Sequence, residues 1–135
     1  MALTVAPQVR YTIVCDEVVK DEQRAGKLMI VGLTTLVNWP PGSTSPLRLD
    51  KLTVLLILTD GRGSGMAQIF CVNEETGLLV FGSPPTPISF EDKDPVGHYG
   101  VTFKLQNCPF PTQGVYVVQF RFDDAVVHEQ FVTVR

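Results

Sequence analysis

Three observations on the sequence predict an all-β fold, an antiparallel β-sandwich. In the C-terminal third, apolar and polar residues alternate along 99–105 and 115–122, the period of a strand with one buried face. Elsewhere, short apolar segments are separated by turns rich in proline and glycine. No stretch of about ten residues has the apolar spacing of an amphipathic helix. Together these features are typical of a sandwich or barrel with about seven or eight strands and no significant helix.

The same signals predict the strands in order along the chain. The first strand is expected over 9–15, with a polar connection over 16–26 after it. Its predicted inward row is Val9, Tyr11, Ile13 and Cys15. The remaining strands are expected over 27–35, 49–59, 66–72 and 78–81 and in three segments of 98–135. The segments 38–46 and 83–87 each carry three prolines and are predicted loops, because proline lacks the backbone donor and fixes φ.

One local motif favours the sandwich over the barrel. Pro111-Thr112-Gln113-Gly114-Val115-Tyr116 has the spacing of a tyrosine corner, in which a tyrosine hydroxyl bonds back to the upstream backbone across a Greek-key crossover. The predicted subtype is therefore Greek-key/immunoglobulin-like or C2-like. The strand order stays open, because sandwich topologies share the same alternation.

Composition limits the classes of function. The 135 residues fit a single domain over 1–135, and 44% hydrophobic with 19% charged residues excludes global disorder. A net charge of −3 with scattered basic residues argues against nucleic-acid binding. No apolar run reaches the roughly 18 residues of a membrane span. Arg10 interrupts the N-terminal apolar residues, so no signal peptide is expected. Three cysteines, an odd number, then favour reduced thiols and a cytoplasmic location.

Two sequence patterns resemble a known family. Cys15-Asp16-Glu17 is followed by Gly26-Lys27-Leu28-Met29-Ile30-Val31-Gly32, and a Pro-x-x-Gly-x-Tyr segment near the C-terminus leads to a final Phe-Val-x-Val. Both are similar to a family of short bacterial proteins of unknown function. The resemblance implies a β-sandwich with no established activity and no catalytic residues to transfer.

The apolar surplus of two strands carries the leading functional hypothesis. An antiparallel sheet with one wet face should alternate, yet the second and third predicted strands are apolar on both parities. The surplus side chains are Leu28, Ile30, Leu55 and Ile57. Either a long loop or another subunit is expected to cover these side chains. Another subunit is favoured because large exposed apolar patches mark interfaces. We therefore expect a non-catalytic interaction or assembly module without cofactor, binding a second copy (a homodimer) or another protein, aided by Trp39 or by edge-strand pairing. A small-molecule ligand is left unknown.

Two alternatives rest on other residues. A sandwich that binds Ca²⁺ or a sugar would use loop carboxylates converging at one end, with Trp39 as a stacking platform. The candidate metal ligands are Glu91, Asp94, Asp123 and Asp124. A small cysteine hydrolase would pair Cys108 with His98, because the nucleophile must be a thiolate beside a base. Cys15, Cys71 and His128 are the remaining members of that set.

Overall fold

Strands make up the regular structure of this chain, as the alternation predicts. The computed structural model describes residues 4–21, 23–24, 27–43, 46–91 and 99–135. Twelve strands and no helix occur within these residues. The strands are β1 Gln8–Lys20, β2 Leu28–Leu33, β3 Leu36–Val37, β4 Leu47–Leu49, β5 Leu52–Thr59, β6 Ser64–Asn73, β7 Leu79–Gly82, β8 Thr86–Ser89, β9 Tyr99–Leu105, β10 Cys108–Phe110, β11 Gly114–Phe122 and β12 Ala125–Val134.

The strands form two main sheets and a short third one. The first sheet has four strands in the order β2-β1-β5-β9. The second has six, in the order β3-β12-β11-β6, with β7 and β8 both pairing with β6. A two-stranded sheet joins β4 to β10. All pairs are antiparallel except that of β3 with β12, which is parallel.

The core lies between the two main sheets. It takes Val54, Leu56 and Phe103 from the first sheet and Ile69 and Phe120 from the second. The rings of Phe103 and Phe120 meet across the interior with centroids 6.4 Å apart. Two apolar sheet faces packed on each other confirm the predicted β-sandwich.

The inward row of β1 differs from the prediction. Tyr11 is 61% exposed, whereas Val14 is buried opposite Val54 of β5. The register against β5 shifts between Val9 and Tyr11, where β1 carries a bulge. One extra residue moves every following side chain to the other face. Val9 therefore still packs against the core, but Thr12 and Val14 replace Tyr11 and Ile13 on the inner face.

The predicted connection over 16–26 is partly strand. β1 continues to Lys20, and its second half pairs with β2. Polar residues in this half suggested a loop, but a two-stranded ribbon with both faces in water tolerates them. β1 and β2 therefore form one long hairpin.

Short strands account for the difference between twelve strands and the predicted seven or eight. β3, β4 and β10 have two or three residues each, and β8 lies at the end of the second predicted proline loop. β8 includes Pro87, which stands opposite Met66 at the edge of the sheet. An edge strand can hold a proline, because one side of its backbone needs no partner.

The tyrosine corner is confirmed. Tyr116 is buried, and its hydroxyl donates a hydrogen bond to the Thr112 carbonyl oxygen at 2.7 Å. Its ring packs edge-on against Phe110 with centroids 4.9 Å apart. The corner therefore ties the start of β11 to the segment that follows β10.

Removal of the Tyr116 hydroxyl tests this corner. We expect Tyr116→Phe to lower the free energy of unfolding by about 1 kcal/mol, because the ring still packs while the hydrogen bond is lost. Urea denaturation measures the change. The matched control is Tyr11→Phe at an exposed position, which should stay within about 0.5 kcal/mol of the original chain. Equal stabilities for the two variants would contradict a stabilising role for the corner.

Candidate interaction surface

The long hairpin extends past the body of the sandwich. β5 pairs with β1 only from Gln8 to Cys15, so the last four residues of β1, 17–20, pair with β2 alone. We call residues 16–20 together with 28–33 the arm. Along most of its length the arm is a two-stranded ribbon rather than part of a four-stranded sheet.

The arm is apolar on both faces and exposed on both. On one face Val19 pairs with Met29 and Glu17 with Val31. On the other face Val18 pairs with Ile30 and Lys20 with Leu28. Every residue of β2 is exposed, although five of its six side chains, all but Gly32, are large and apolar. This strand combines high hydrophobicity with high exposure, a combination that marks contact surfaces.

Gly32 fixes the base of the arm. Its φ of 69° lies in the left-handed region that glycine adopts without strain. A side chain there would collide with the carboxylate of Asp16, which lies over the glycine. Beyond this point the Thr34 amide donates to the Val14 carbonyl at 2.7 Å and returns the chain to the sandwich. The arm therefore begins at a defined kink.

A depression of about 220 Å³ lies beside the base of the arm. Its charged lining side chains are of both signs, with Asp16 and Glu17 from the arm and Asp50, Lys51 and Lys104 from the body. Mixed charge at the base contrasts with the apolar strand further out. Within the arm, the exposed apolar side chains therefore lie in the strand pairs beyond this depression.

The four predicted surplus residues separate into two groups. Leu28 and Ile30 lie on the arm and are 40% and 36% exposed. Leu55 and Ile57 lie in β5 near the centre of the first sheet, where Leu55 is only 3% exposed between Ile13 and Thr102. Of these two strands, β2 therefore supplies the exposed apolar side chains. They include Met29, Val31 and Leu33, which the parity argument had assigned to the inner row.

Trp39 is not a free platform on its loop. It is half-buried and packs against the core, and its indole Nε1 donates to the Ser43 carbonyl at 3.2 Å. Such packing is typical of an aromatic residue that covers the end of its own core.

The carboxylates proposed for a metal have other surroundings. Asp123 and Asp124 both have positive φ and form the tight turn between β11 and β12, and the Asp123 carboxylate accepts the Met66 amide at 2.8 Å. Glu91 follows β8, and Asp94 lies outside the described residues. Within the described ranges, no three acidic, histidine or cysteine side chains are grouped as a metal site would need.

The three thiols are all buried and unoxidised. Cys71 and Cys108 are hydrogen-bonded to each other inside the core, a contact that their distant positions in sequence did not reveal. That hydrogen bond, together with burial, raises the pKa of Cys71. The same hydrogen bond lowers the pKa of Cys108, against the opposing effect of burial. Burial, followed by the negative charge of Asp16, raises the pKa of Cys15. Of the histidines proposed as bases, His98 lies outside the described residues and His128 stands on β12 opposite Phe120.

Comparisons with known proteins give a family. The family described as "Family of unknown function (DUF6941)" matches residues 10–135. The matched residues include most of the sandwich and the whole arm. The chain therefore belongs to this family. The resemblance seen in Cys15-Asp16 and Gly26-Lys27 is thereby confirmed.

A solved structure is also similar. It is an immunoglobulin-like protein from Pseudomonas aeruginosa that is 10% identical, with 97% of this chain and 98% of that chain covered and a TM-score of 0.44. No curated protein matches the chain. In the described part of the chain, no helix has the length and apolarity needed to cross a membrane.

Burial of the thiols has a measurable consequence. All three side chains are shielded from aromatic disulfide reagents, which react with accessible thiolate. The raised pKa values of Cys15 and Cys71 further reduce the thiolate fraction of these two. At pH 8 an exposed thiol of ordinary pKa is about one-quarter ionised and reacts within minutes. We expect less than about one thiol per native chain to react on that timescale, and all three to react in guanidinium chloride. Rapid native labelling of Cys108 would instead revive the nucleophile hypothesis.

Proposed function

We propose that this protein is a non-catalytic assembly module that associates with a second copy of itself through the arm. The observation that carries the proposal is β2, an edge strand whose apolar side chains are exposed on both faces. A two-stranded hairpin alone is marginally stable in water, because neither face is covered. Contact with another subunit would remove both the exposed apolar area and this instability.

The charges of the arm support a second copy as the partner. The chain carries a net charge of −3, which disfavours self-association in general. The arm differs, because its charged residues are only Asp16, Glu17 and Lys20, one basic against two acidic, which gives it a net charge of −1. Little of the net charge of the chain therefore lies on the arm, and the repulsion between two arms is weak. A strongly charged partner would have no complementary field to bind.

The non-catalytic part of the proposal rests on the surroundings of the reactive groups. Cys71 and Cys108 face each other in the core, where their sulfur atoms have no contact with water. Asp123 is held by the Met66 amide in a tight turn. Free thiols further support the reducing environment of the cytoplasm as the location.

A pair of matched valine variants tests self-association through the arm. Val31 on the arm is 44% exposed, and Val126 on β12, outside the arm, is 48% exposed. We expect Val31→Lys to weaken the dimer at least about tenfold, because burial of the arm would then desolvate a charge. Glu17 pairs with position 31 across the hairpin, so the lysine leaves the arm itself folded. Val126→Lys should leave the association unchanged.

Light scattering behind a sizing column, over a wide range of concentrations, measures the association. A mass that doubles with concentration, and shifts only for Val31→Lys, supports the proposal. A monomer at every concentration would refute self-association. Dissociation by Val126→Lys but not by Val31→Lys would place the contact on the outer face of the second sheet and remove the arm from it.

A further inference from the structure

We propose that the two copies join by pairing β2 with β2 of the partner subunit, edge to edge and antiparallel, about a twofold axis at Met29. This inference rests on the self-association proposed above and names its mode. Two arms can meet edge to edge or face to face. The unpaired peptide groups of β2 favour edge-to-edge pairing.

The outer edge of β2 offers free peptide groups in a known register. Among the described residues, β2 pairs with β1 alone. The Asp21 amide donates to the Lys27 carbonyl at 3.1 Å, while the Lys27 amide donates to the Arg24 carbonyl. The uninterrupted pairing from Lys20–Leu28 to Glu17–Val31 carries the phase of the Asp21–Lys27 bond along β2. Hydrogen bonding alternates along an antiparallel ladder, so Met29 and Val31 also point their peptide groups toward β1. The amide and carbonyl of Leu28 and Ile30 therefore face the open edge.

This edge lacks the protection that most of the other edges carry. Exposed edge strands usually avoid pairing through shortness, proline or charge. β3 has two residues, β8 includes Pro87, and β9 carries the exposed Lys104. β2 has six residues with neither proline nor charge. The edge strand β7 also lacks proline and charge but has only four residues, so β2 is the longer of the two unprotected edges.

Self-pairing in one register uses both free peptide groups. With the axis at Met29, Leu28 exchanges hydrogen bonds with Ile30 of the partner subunit, and Ile30 does so with the partner's Leu28. Met29 then faces the partner's Met29. Lys27 falls opposite Val31 of the partner subunit, so no like charges oppose each other. Apolar side chains meet on both faces of the new ladder.

The resulting assembly is closed. A twofold contact uses the same edge on both copies, so it ends at two subunits. The two four-stranded sheets become one continuous sheet. Its outer edges are then the two β9 strands, each of which carries Lys104.

Disulfide trapping tests the position of the axis. Residues directly opposite each other in a non-hydrogen-bonded pair have Cα atoms about 4.5 Å apart, within the range of a disulfide. We expect Met29→Cys to form a dimer cross-linked through position 29 when a mild oxidant, such as oxidised glutathione, removes two electrons and two protons from the thiol pair. The natural cysteines are buried and do not compete.

The matched control lies one residue away. Ile30→Cys places a thiol on the same exposed strand, but opposite Leu28 of the partner subunit. The two introduced thiols are then diagonal neighbours rather than directly opposite. We expect this variant to cross-link at least about tenfold more slowly, because diagonal neighbours are too far apart for a relaxed disulfide.

A backbone variant tests the hydrogen bonds. Ile30→Pro removes an amide that faces the open edge and leaves pairing with β1 in place. We expect the dimer dissociation constant to rise at least about tenfold, while Ile30→Val leaves it unchanged. The circular dichroism of the monomer should stay that of the original chain. If the proline disrupts the arm, the trapping pair still decides the question.

The outcomes separate this inference from the proposed function. Fast trapping at position 29 alone supports the register. A dimer that traps faster at position 30 refutes it. A dimer that traps at neither position and resists Ile30→Pro refutes edge pairing while self-association stands. A monomer at every concentration refutes both.

Discussion

The length over which β5 accompanies β1 determines most of what is distinctive in this structure. β5 begins at Leu52 and reaches no further along β1 than Cys15, while β1 continues to Lys20. The part of a strand that extends beyond its neighbour must pair with another strand, because its backbone amide and carbonyl groups need hydrogen-bond partners. β2 supplies the partner on one side only. The arm, its two exposed faces and its open edge all follow from this difference in strand length.

The rest of the sandwich is conventional in its packing and independent of the arm. Phe103 and Phe120 meet between the sheets, and the tyrosine corner secures the crossover into β11. The buried pair of Cys71 and Cys108 lies within the same core. A body stabilised in this way can carry an exposed arm without depending on it for folding. The core contacts and the exposed arm therefore lie in separate parts of the molecule.

The sequence predicted the fold class because alternation is a direct record of one buried face. β9 and β11 appear where the alternation is clean, and Tyr116 makes the bond that its motif predicts. The inward row of β1 could not be predicted, since the bulge near Arg10 leaves no signal in residue types. The short strands β3, β4, β8 and β10 were also beyond prediction. They depend on partners far along the chain rather than on local pattern.

The sequence predicted that some strands expose apolar side chains, but it identified only one of the two strands correctly. Apolar residues on both parities correctly indicated surplus hydrophobic surface in 27–35. The same pattern in β5 has a different origin, since Leu55 lies in a strand with neighbours on both sides. A central strand and a projecting ribbon can thus share one sequence pattern. Only the pairing register, which is a tertiary property, tells them apart.

Hydrogen–deuterium exchange at two protein concentrations tests the central claim most directly. The amides of 27–31 sit in a ribbon without cover and should exchange rapidly in dilute protein. The account predicts that exchange in this segment slows at least about tenfold at high concentration, while β6 and β11 exchange alike at both. Exchange in 27–31 that does not depend on concentration would contradict the claim that the arm is where two copies meet.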